Sequence, residues 1–78
     1  MPIGEFCTKS VVTARSDESV ADAAKKMLEK NVGTIIVVDL QTVPIGMITD
    51  RDVAVRVVAE GRDPGSTRIG EVMSEDPI

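Results

Sequence analysis

The stretch Gly46-Met47-Ile48-Thr49-Asp50-Arg51-Asp52 predicts a short apolar strand that runs directly into the start of a helix. Before it, residues 34–39 have the β-branched composition of a buried strand and end with an acidic residue, Asp39. The connection of residues 40–44 is short enough for a hairpin loop, which predicts that the two strands pair antiparallel. Residues 50–59 are long enough to form a helix. Thr49 therefore falls where a strand ends and a helix begins.

The pair Thr49 and Asp52 has two interpretations. Free backbone N–H groups and the positive end of a helix dipole meet at a strand-to-helix junction, which suits a phosphate group. Asp52 follows Thr49 by roughly one helical turn, so its carboxylate projects beside the Thr49 hydroxyl. The same Thr-x-x-Asp spacing is also an acidic capping box, in which each side chain bonds the backbone N–H of the other residue. Local chemistry favours the capping box, while the glycine-headed strand before it adds weight to ligand binding without deciding the choice.

The composition predicts one small domain and excludes several functions. The chain has 78 residues, 42% of them hydrophobic, but Phe6 is its only aromatic residue and its net charge is −4. Aromatic platforms and positive charge are what nucleic-acid binders need, so nucleic acid is not expected as a partner. The chain has no histidine, and Cys7 is its single cysteine, which predicts no catalytic residue set, no metal site and no disulfide. No stretch approaches the roughly 18 apolar residues of a membrane span, and no secretory signal opens the chain, so we expect a cytoplasmic protein that is not an enzyme.

The two ends of the chain carry similar segments. Residues 3–12 and residues 69–78 both begin with Ile-Gly-Glu, continue with an apolar pair and a hydroxyl residue, and end on an aliphatic residue. Their separation is longer than the period of about 20–50 residues that is typical of solenoid repeats, and it favours duplicated domains. We therefore predict one complete repeat over residues 1–68 and the truncated start of a second repeat over residues 69–78.

Two amphipathic segments predict helices. Ser19 is placed to cap the first, with Asp22 at the third helical position. The apolar stripe of this helix has the spacing of one helix face and consists of Val20, Ala23, Ala24, Met27 and Leu28. The second helix has a stripe of Val53, Ala54, Val57 and Val58. Val55 lies off that stripe, and a helix that is apolar on more than one side is buried on more than one side, which predicts contact with another repeat or another chain.

The predicted elements follow the order strand, helix, strand, strand, helix, which gives an α+β fold whose three-stranded sheet is packed by two helices. In this order, residues 32–39 and 46–52 closely resemble the cystathionine β-synthase (CBS) domain family. The most specific family pattern is Gly-hydrophobic-x-Thr/Ser-x-x-Asp, which is matched without a gap by Gly46, Met47, Thr49 and Asp52. The resemblance covers essentially the whole chain, including residues 5–8 and their echo at residues 71–74. It implies a CBS-type β-α-β-β-α repeat.

What this resemblance implies is a non-catalytic regulatory module. Such repeats occur in tandem pairs whose sheets pack face to face, and many bind an adenosine-containing ligand such as AMP, ADP, ATP or S-adenosylmethionine. By position, Thr49 resembles the hydroxyl that meets phosphate, and Asp52 resembles the carboxylate that grips both ribose hydroxyls. Arg51 is either solvated or available to neutralise a phosphate. The positions that match the adenine sandwich are Val11, Val12, Val32, Thr34 and Met47, an aliphatic slot that suits a purine.

Two hypotheses for the function follow. The first is a regulatory module that senses an adenosine-containing ligand through altered packing. The alternative is a structural association module, in which Thr49 and Asp52 only cap the helix and apolar faces pair the chains. Because most of the second repeat is missing, Val55 and a sheet expected to be apolar on both faces are left uncovered, which predicts a homodimer about a two-fold axis. We also expect that residues 69–78 can cross to the partner as a swapped terminus, replacing or pairing with residues 3–12.

Overall fold

The computed structural model describes residues 11–75 and arranges them as a three-stranded sheet with packed helices. The strands are β1 (Thr13–Arg15), β2 (Thr34–Val38) and β3 (Pro44–Thr49). The helices are α1 (Val20–Lys30), α2, which starts with an α-helical turn (Asp50–Asp52) and continues as a π-helix (Val53–Val58), and α3 (Ile69–Val72). The predicted α+β order of strand, helix, strand, strand and helix is confirmed. The predicted similarity of the two chain ends involves residues 3–10 and 76–78, which lie outside the described residues.

The sheet has the order β1-β2-β3, with β1 parallel to β2 and β2 antiparallel to β3. The hairpin predicted between β2 and β3 is therefore confirmed. Its loop is held by Asp39, whose Oδ1 accepts the backbone N–H groups of Gln41 and Val43 at 2.8 and 2.9 Å. Thr42 in the same loop has a φ of 66°, a left-handed conformation that a β-branched residue adopts rarely. The side-chain bonds of Asp39 are what keep the loop in this shape.

Helix α1 begins where the sequence predicts. The Ser19 hydroxyl accepts the backbone N–H of Asp22 at 3.1 Å, the expected N-cap. Asn31 ends the helix in the left-handed conformation, with φ 56°. The predicted apolar stripe is wrong at Leu28, which is exposed. The last three residues of α1 are all exposed, so its final turn extends past the core and the Leu28 side chain faces solvent.

One face of the sheet forms the core, and α3 completes it. The fully or nearly fully buried apolar side chains come from all three strands and all three helices: Ala14, Val20, Ala23, Ile35, Val37, Ile48, Val57, Ile69 and Val72. Ile69 and Val72 belong to the segment predicted to open a second repeat, and both are almost entirely buried within this unit. The stripe predicted on α2 is buried only at Val57, while Val58 is exposed.

Backbone hydrogen bonds attach α3 and the residues after it to their own chain. The N–H groups of Ile69 and Gly70 donate to the carbonyl oxygens of Glu18 and Ser16 at 2.8 and 2.9 Å. Ser74 and Met47 exchange two backbone hydrogen bonds, which adds a bridge beside β3. The domain boundary after residue 68 and the swapped terminus stay predictions, but in a single chain this segment is seated on its own sheet.

The other face of the sheet, named the open face because the described helices pack against the opposite side, is only partly apolar. Alternation along the strands brings to it Thr13, Thr34, Ile36, Met47 and Thr49. Ile36 and Met47 are half-buried and lie opposite each other, and threonines surround them. The sheet was expected to be apolar on both faces, and this expectation is wrong at the three threonine positions of the open face. The reason is that Thr13, Thr34 and Thr49 occupy the outward positions of their strands.

Substitution of Ile69 tests whether α3 is part of this folding unit. We expect Ile69→Ala to lower the free energy of unfolding by about 2–5 kcal/mol and Ile69→Val by about 0.5–1.5 kcal/mol, because each leaves space in a packed core. Urea unfolding monitored by circular dichroism measures both. Leu28→Ala on the exposed last turn of α1 serves as the control and should change little. Equal stability of the wild type and both Ile69 variants would contradict the seating of α3.

Candidate functional site

The Thr49–Asp52 pair forms a reciprocal capping box at the junction of β3 and α2. Thr49 has extended backbone angles, and its hydroxyl oxygen accepts the Asp52 N–H at 3.1 Å. In return, the Thr49 N–H donates to Asp52 Oδ2 at 2.9 Å. The capping interpretation of the sequence is thus confirmed as a geometry. It satisfies two backbone donors that the start of α2 would otherwise leave without partners.

The second oxygen of Asp52 faces Arg56, a residue that the sequence reasoning missed. Arg56 Nε lies 3.7 Å from Asp52 Oδ1, and Arg56 Nη1 donates to the carbonyl oxygen of Val72 at 3.4 Å. The Asp52 side chain is 16% exposed and that of Arg56 is 52% exposed. The signal was present in the sequence, because residues four apart on a helix are neighbours. Its contact with Val72 was not predictable from that spacing.

The backbone donors at the head of α2 are partly in use. The Asp50 N–H donates to the carbonyl oxygen of Gly33 at 2.9 Å, and the Asp52 N–H is bonded to Thr49. Gly33 approaches this turn so closely that a Cβ atom on it would lie 3.0 Å from Asp50 Oδ2. A phosphate at this junction therefore meets fewer free N–H groups than the sequence led us to expect.

Three of the predicted site residues lie together on the open face of the sheet. Thr34 on β2 is paired directly with Thr49 on β3, and Met47 is paired with Ile36 one step further along the same face. Directly opposed side chains on an antiparallel pair are close neighbours. The structure therefore brings Thr34, Met47 and Thr49 together, with Asp52 joined to Thr49 by the capping box.

The remaining predicted site residues surround this group less tightly. Val11 and Arg51 are exposed, whereas Val12 and Val32 are half-buried. The carbonyl oxygen of Val12 accepts the Ile36 N–H at 2.9 Å, and the Val32 N–H donates to Met27. These main-chain groups are already bonded within the chain. The two backbone groups of Met47 are both bonded to Ser74, so its side chain is what remains of this residue for contact with a ligand.

Gly46 is required by the bridge between β3 and Ser74. A Cβ atom on Gly46 would lie 2.6 Å from the carbonyl oxygen of Ser74, closer than such atoms approach in real structures. The glycine of the Gly-x-x-Thr-x-x-Asp pattern therefore serves the close approach of residues 73–74. Packing therefore explains the glycine of this pattern without any ligand.

A cavity of about 320 Å³ lies elsewhere, at the start of α1. Its lining residues are Ser19, Gly65, Ser66, Thr67 and Arg68, none of which is a predicted ligand position. The first N–H groups of α1 are already used here, since Val20 donates to Thr67 at 2.9 Å and Ala21 donates to Pro64 at 3.0 Å. An anion in this cavity would lack the free donors that a helix start normally offers.

Metal, membrane and charge features add little to the site. Among residues 11–75, no group of three or more metal-binding side chains occurs, and no helix is long and apolar enough to cross a membrane. The pKa of Glu71 is lowered, first by the hydrogen bond from the Arg68 backbone N–H and then by the Arg62 guanidinium. Glu71 fixes the start of α3, and it lies outside the Thr49–Asp52 junction.

Comparison with known proteins identifies the family. The sequence profile of the CBS domain matches residues 3–59. The chain belongs to the CBS domain family. CBS domains are commonly regulatory and non-catalytic, and the α+β fold described above is the fold of this family.

The relatives of this CBS domain are longer than the chain itself. The chain is 46% identical over 76 residues to the CBS domain-containing protein YhcV of Bacillus subtilis. The aligned region covers 97% of this chain and 53% of that protein. The chain is 33% identical over 76 residues to an uncharacterized protein of Methanopyrus kandleri, again over 97% of this chain but 39% of the relative. Among solved structures, it is similar to the hexameric CBS-CP12 protein from bloom-forming cyanobacteria, with 35% identity, a TM-score of 0.82, and coverage of 100% of this chain and 46% of that one. The chain thus spans about half or less of the length of these proteins.

The contribution of the capping box to stability can be measured without any ligand. We expect Thr49→Ala to lower the free energy of unfolding by about 1 kcal/mol, because the Asp52 N–H loses its acceptor. Thr49→Ser keeps the hydroxyl and should remain close to the wild type. Chemical denaturation of the three proteins provides the comparison. The assignment of a capping role would be wrong if the alanine and serine variants were equally stable.

Proposed function

We propose that this CBS domain is a regulatory module that binds an adenosine-containing ligand at the junction of β3 and α2 and catalyses no reaction. The observation that carries the proposal is the position of the Thr49 hydroxyl and the Asp52 carboxylate at the head of α2, beside Thr34 and Met47 on the open face. AMP, ADP, ATP and S-adenosylmethionine are the candidate ligands. A cytoplasmic location and the absence of nucleic-acid partners remain predictions within this proposal.

The capping box and a bound ligand are chemically compatible. An ionised carboxylate offers about four acceptor positions, and the Thr49 N–H uses one of them on Asp52 Oδ2. Two ribose hydroxyl groups can therefore donate to the remaining positions. The Thr49 oxygen accepts from the Asp52 N–H, but its own O–H is still a donor, and a phosphate oxygen is a suitable acceptor. The same pair of residues can thus hold the helix and a nucleotide together.

The adenine ring would rest on apolar side chains of the open face. Met47 is half-buried there. Val12 and Val32, which come just before β1 and β2 in the chain, are also half-buried. Because the main-chain groups of Met47 are bonded to Ser74, recognition at this residue would come from its flexible thioether side chain. The exposed Thr34 hydroxyl is available to bond a polar edge of the ligand.

Asp52→Asn is the direct test of ligand binding. If Asp52 grips a ribose, the variant should lose about 1.5–3 kcal/mol of affinity, roughly 10- to 150-fold, because the amide is a weaker acceptor than the carboxylate. Isothermal titration calorimetry with AMP, ADP, ATP and S-adenosylmethionine measures the affinities of both proteins. A thermal-shift panel gives an independent reading, since a ligand at 100 times its dissociation constant stabilises the folded state by about 2.7 kcal/mol.

Asp50→Asn is the matched control for this test. This substitution removes the same charge two residues from Asp52. The Asp50 side chain is exposed and lies outside the proposed ribose contact. We expect its affinities to stay near those of the wild type. Equal affinities of the wild type and Asp52→Asn would remove Asp52 from the site. An absence of binding by all four compounds would leave the association function as the better explanation.

Association of chains is the second candidate function, and a specific feature of α2 favours it. Val55 and Val58 are 43% and 68% exposed on the outer side of this helix. Exposed apolar side chains placed close together favour a contact with another molecule. We propose that a second copy of the chain covers them, and the hexameric assembly of the similar CBS-CP12 protein supports pairing between such domains. Association and ligand binding are compatible, so both can hold.

Val55→Glu tests the association proposal. A charge at this position should shift the population toward the monomer, because its burial in a contact between chains is unfavourable. Light scattering across a concentration series measures the mass. Val43→Glu is the matched control, since Val43 is 51% exposed in the hairpin loop and receives the same change. A wild-type chain that stays monomeric at the highest concentrations would overturn the proposal.

A further inference from the structure

Arg56 connects the proposed ribose site with helix α3. Its guanidinium lies 3.7 Å from Asp52 Oδ1 on one side, and on the other it donates to the carbonyl oxygen of Val72 at 3.4 Å. Val72 is the last residue of α3, where backbone carbonyl groups lack helical partners and carry partial negative charge. One cation thus lies between a carboxylate at the head of α2 and the negative end of α3.

The geometry at Asp52 lets Arg56 orient the carboxylate while a ligand is bound. At 3.7 Å the contact to Oδ1 is an ion pair without the close approach of a hydrogen bond. Acceptor positions on Oδ1 therefore stay available for a ribose hydroxyl. The Thr49 N–H holds Oδ2 from the other side, so the carboxylate is oriented by two groups that leave room for a third.

Helix α3 in turn positions the open face of the sheet. Two residues after Val72, Ser74 exchanges two backbone hydrogen bonds with Met47. Met47 lies on the face where the adenine ring would rest. Arg56 is therefore linked to both parts of the proposed ligand site. It contacts Asp52 at the ribose position directly, and it is connected to Met47 at the adenine position through Val72 and the Ser74–Met47 bridge.

We propose that Arg56 is a positioning residue that couples occupancy of the nucleotide site to the seating of residues 69–74. This inference rests on the proposed adenosine site and names its regulation. Ligand binding at Asp52 fixes the Arg56 guanidinium, and the fixed guanidinium holds the Val72 carbonyl group. Because such coupling is reciprocal, seating of α3 strengthens ligand binding by the same factor.

The change in amide hydrogen exchange of residues 69–74 on ligand binding is a readout that a merely structural role of Arg56 would not move. The Ser74 N–H donates to Met47 at 2.8 Å and reports the seating of residues 69–74. The Val43 N–H, bonded to Asp39 in the hairpin loop, reports local opening elsewhere. Exchange is measured by NMR on the wild-type chain, free and saturated with whichever of AMP, ADP, ATP and S-adenosylmethionine binds it most tightly. We expect the ligand to slow exchange at Ser74 about fivefold or more, the lower end of a typical coupling, with little change at Val43.

Three variants separate the bridge from the charge. Arg56→Met removes both contacts, so Ser74 should exchange fast without ligand, and saturating ligand should slow it no more than it slows Val43. Arg56→Lys keeps the charge but loses the planar guanidinium, whose separate nitrogens Nε and Nη1 make the two contacts, so the affinity should stay nearer the wild type while the effect on Ser74 is lost. Lys25→Met, on an exposed part of α1, has the same charge change as Arg56→Met and should behave like the wild type.

Failure of the inference and failure of the proposed function give different results. Calorimetry that finds no binding of any of the four compounds overturns the adenosine site and the coupling with it. Binding that depends on Asp52 but leaves Ser74 exchange unchanged overturns the coupling alone. The coupling also fails if Arg56→Met shows the same ligand effect on Ser74 as the wild type.

Discussion

The alternation of side chains along the β2–β3 hairpin is the constraint on which the rest of this structure depends. Ile35, Val37 and Ile48 point to the helices and are fully buried there. The residues between them point the other way and form the open face. A slip of one residue in the pairing would exchange the two sets and expose the core, so register, core and open face are fixed together.

The junction after β3 shows how one local structure can serve two purposes. Thr49 and Asp52 close a capping box that any helix start of this sequence would favour. The same geometry presents a hydroxyl and a carboxylate side by side at the positive end of α2. Stability and ligand binding therefore do not compete for these residues, because the cap uses only part of their hydrogen-bonding capacity.

The sequence predicts most elements and part of the candidate site. The hairpin, the Ser19 cap and the Thr49–Asp52 geometry were all predictable, since each depends on residues close together in the chain. Leu28 was predicted to be buried and is exposed, because helical spacing gives the direction of a side chain but not how far the core extends along the helix. The ligand positions on β2 and β3 came from a family resemblance, and the strand register shows that Thr34, Met47 and Thr49 share a face.

By itself, the sequence determined the order of the elements and their caps, and its resemblance to CBS domains identified the family. The order and the caps depend on composition, periodicity and contacts within about one helical turn. Only the tertiary structure decided that Ile69 and Val72 complete the core, that Ser74 bonds Met47, and that Arg56 joins Asp52 to the end of α3. Each of these contacts joins elements that are distant in the chain, and their partners are selected by the three-dimensional packing of the sheet and helices, which no local pattern contains.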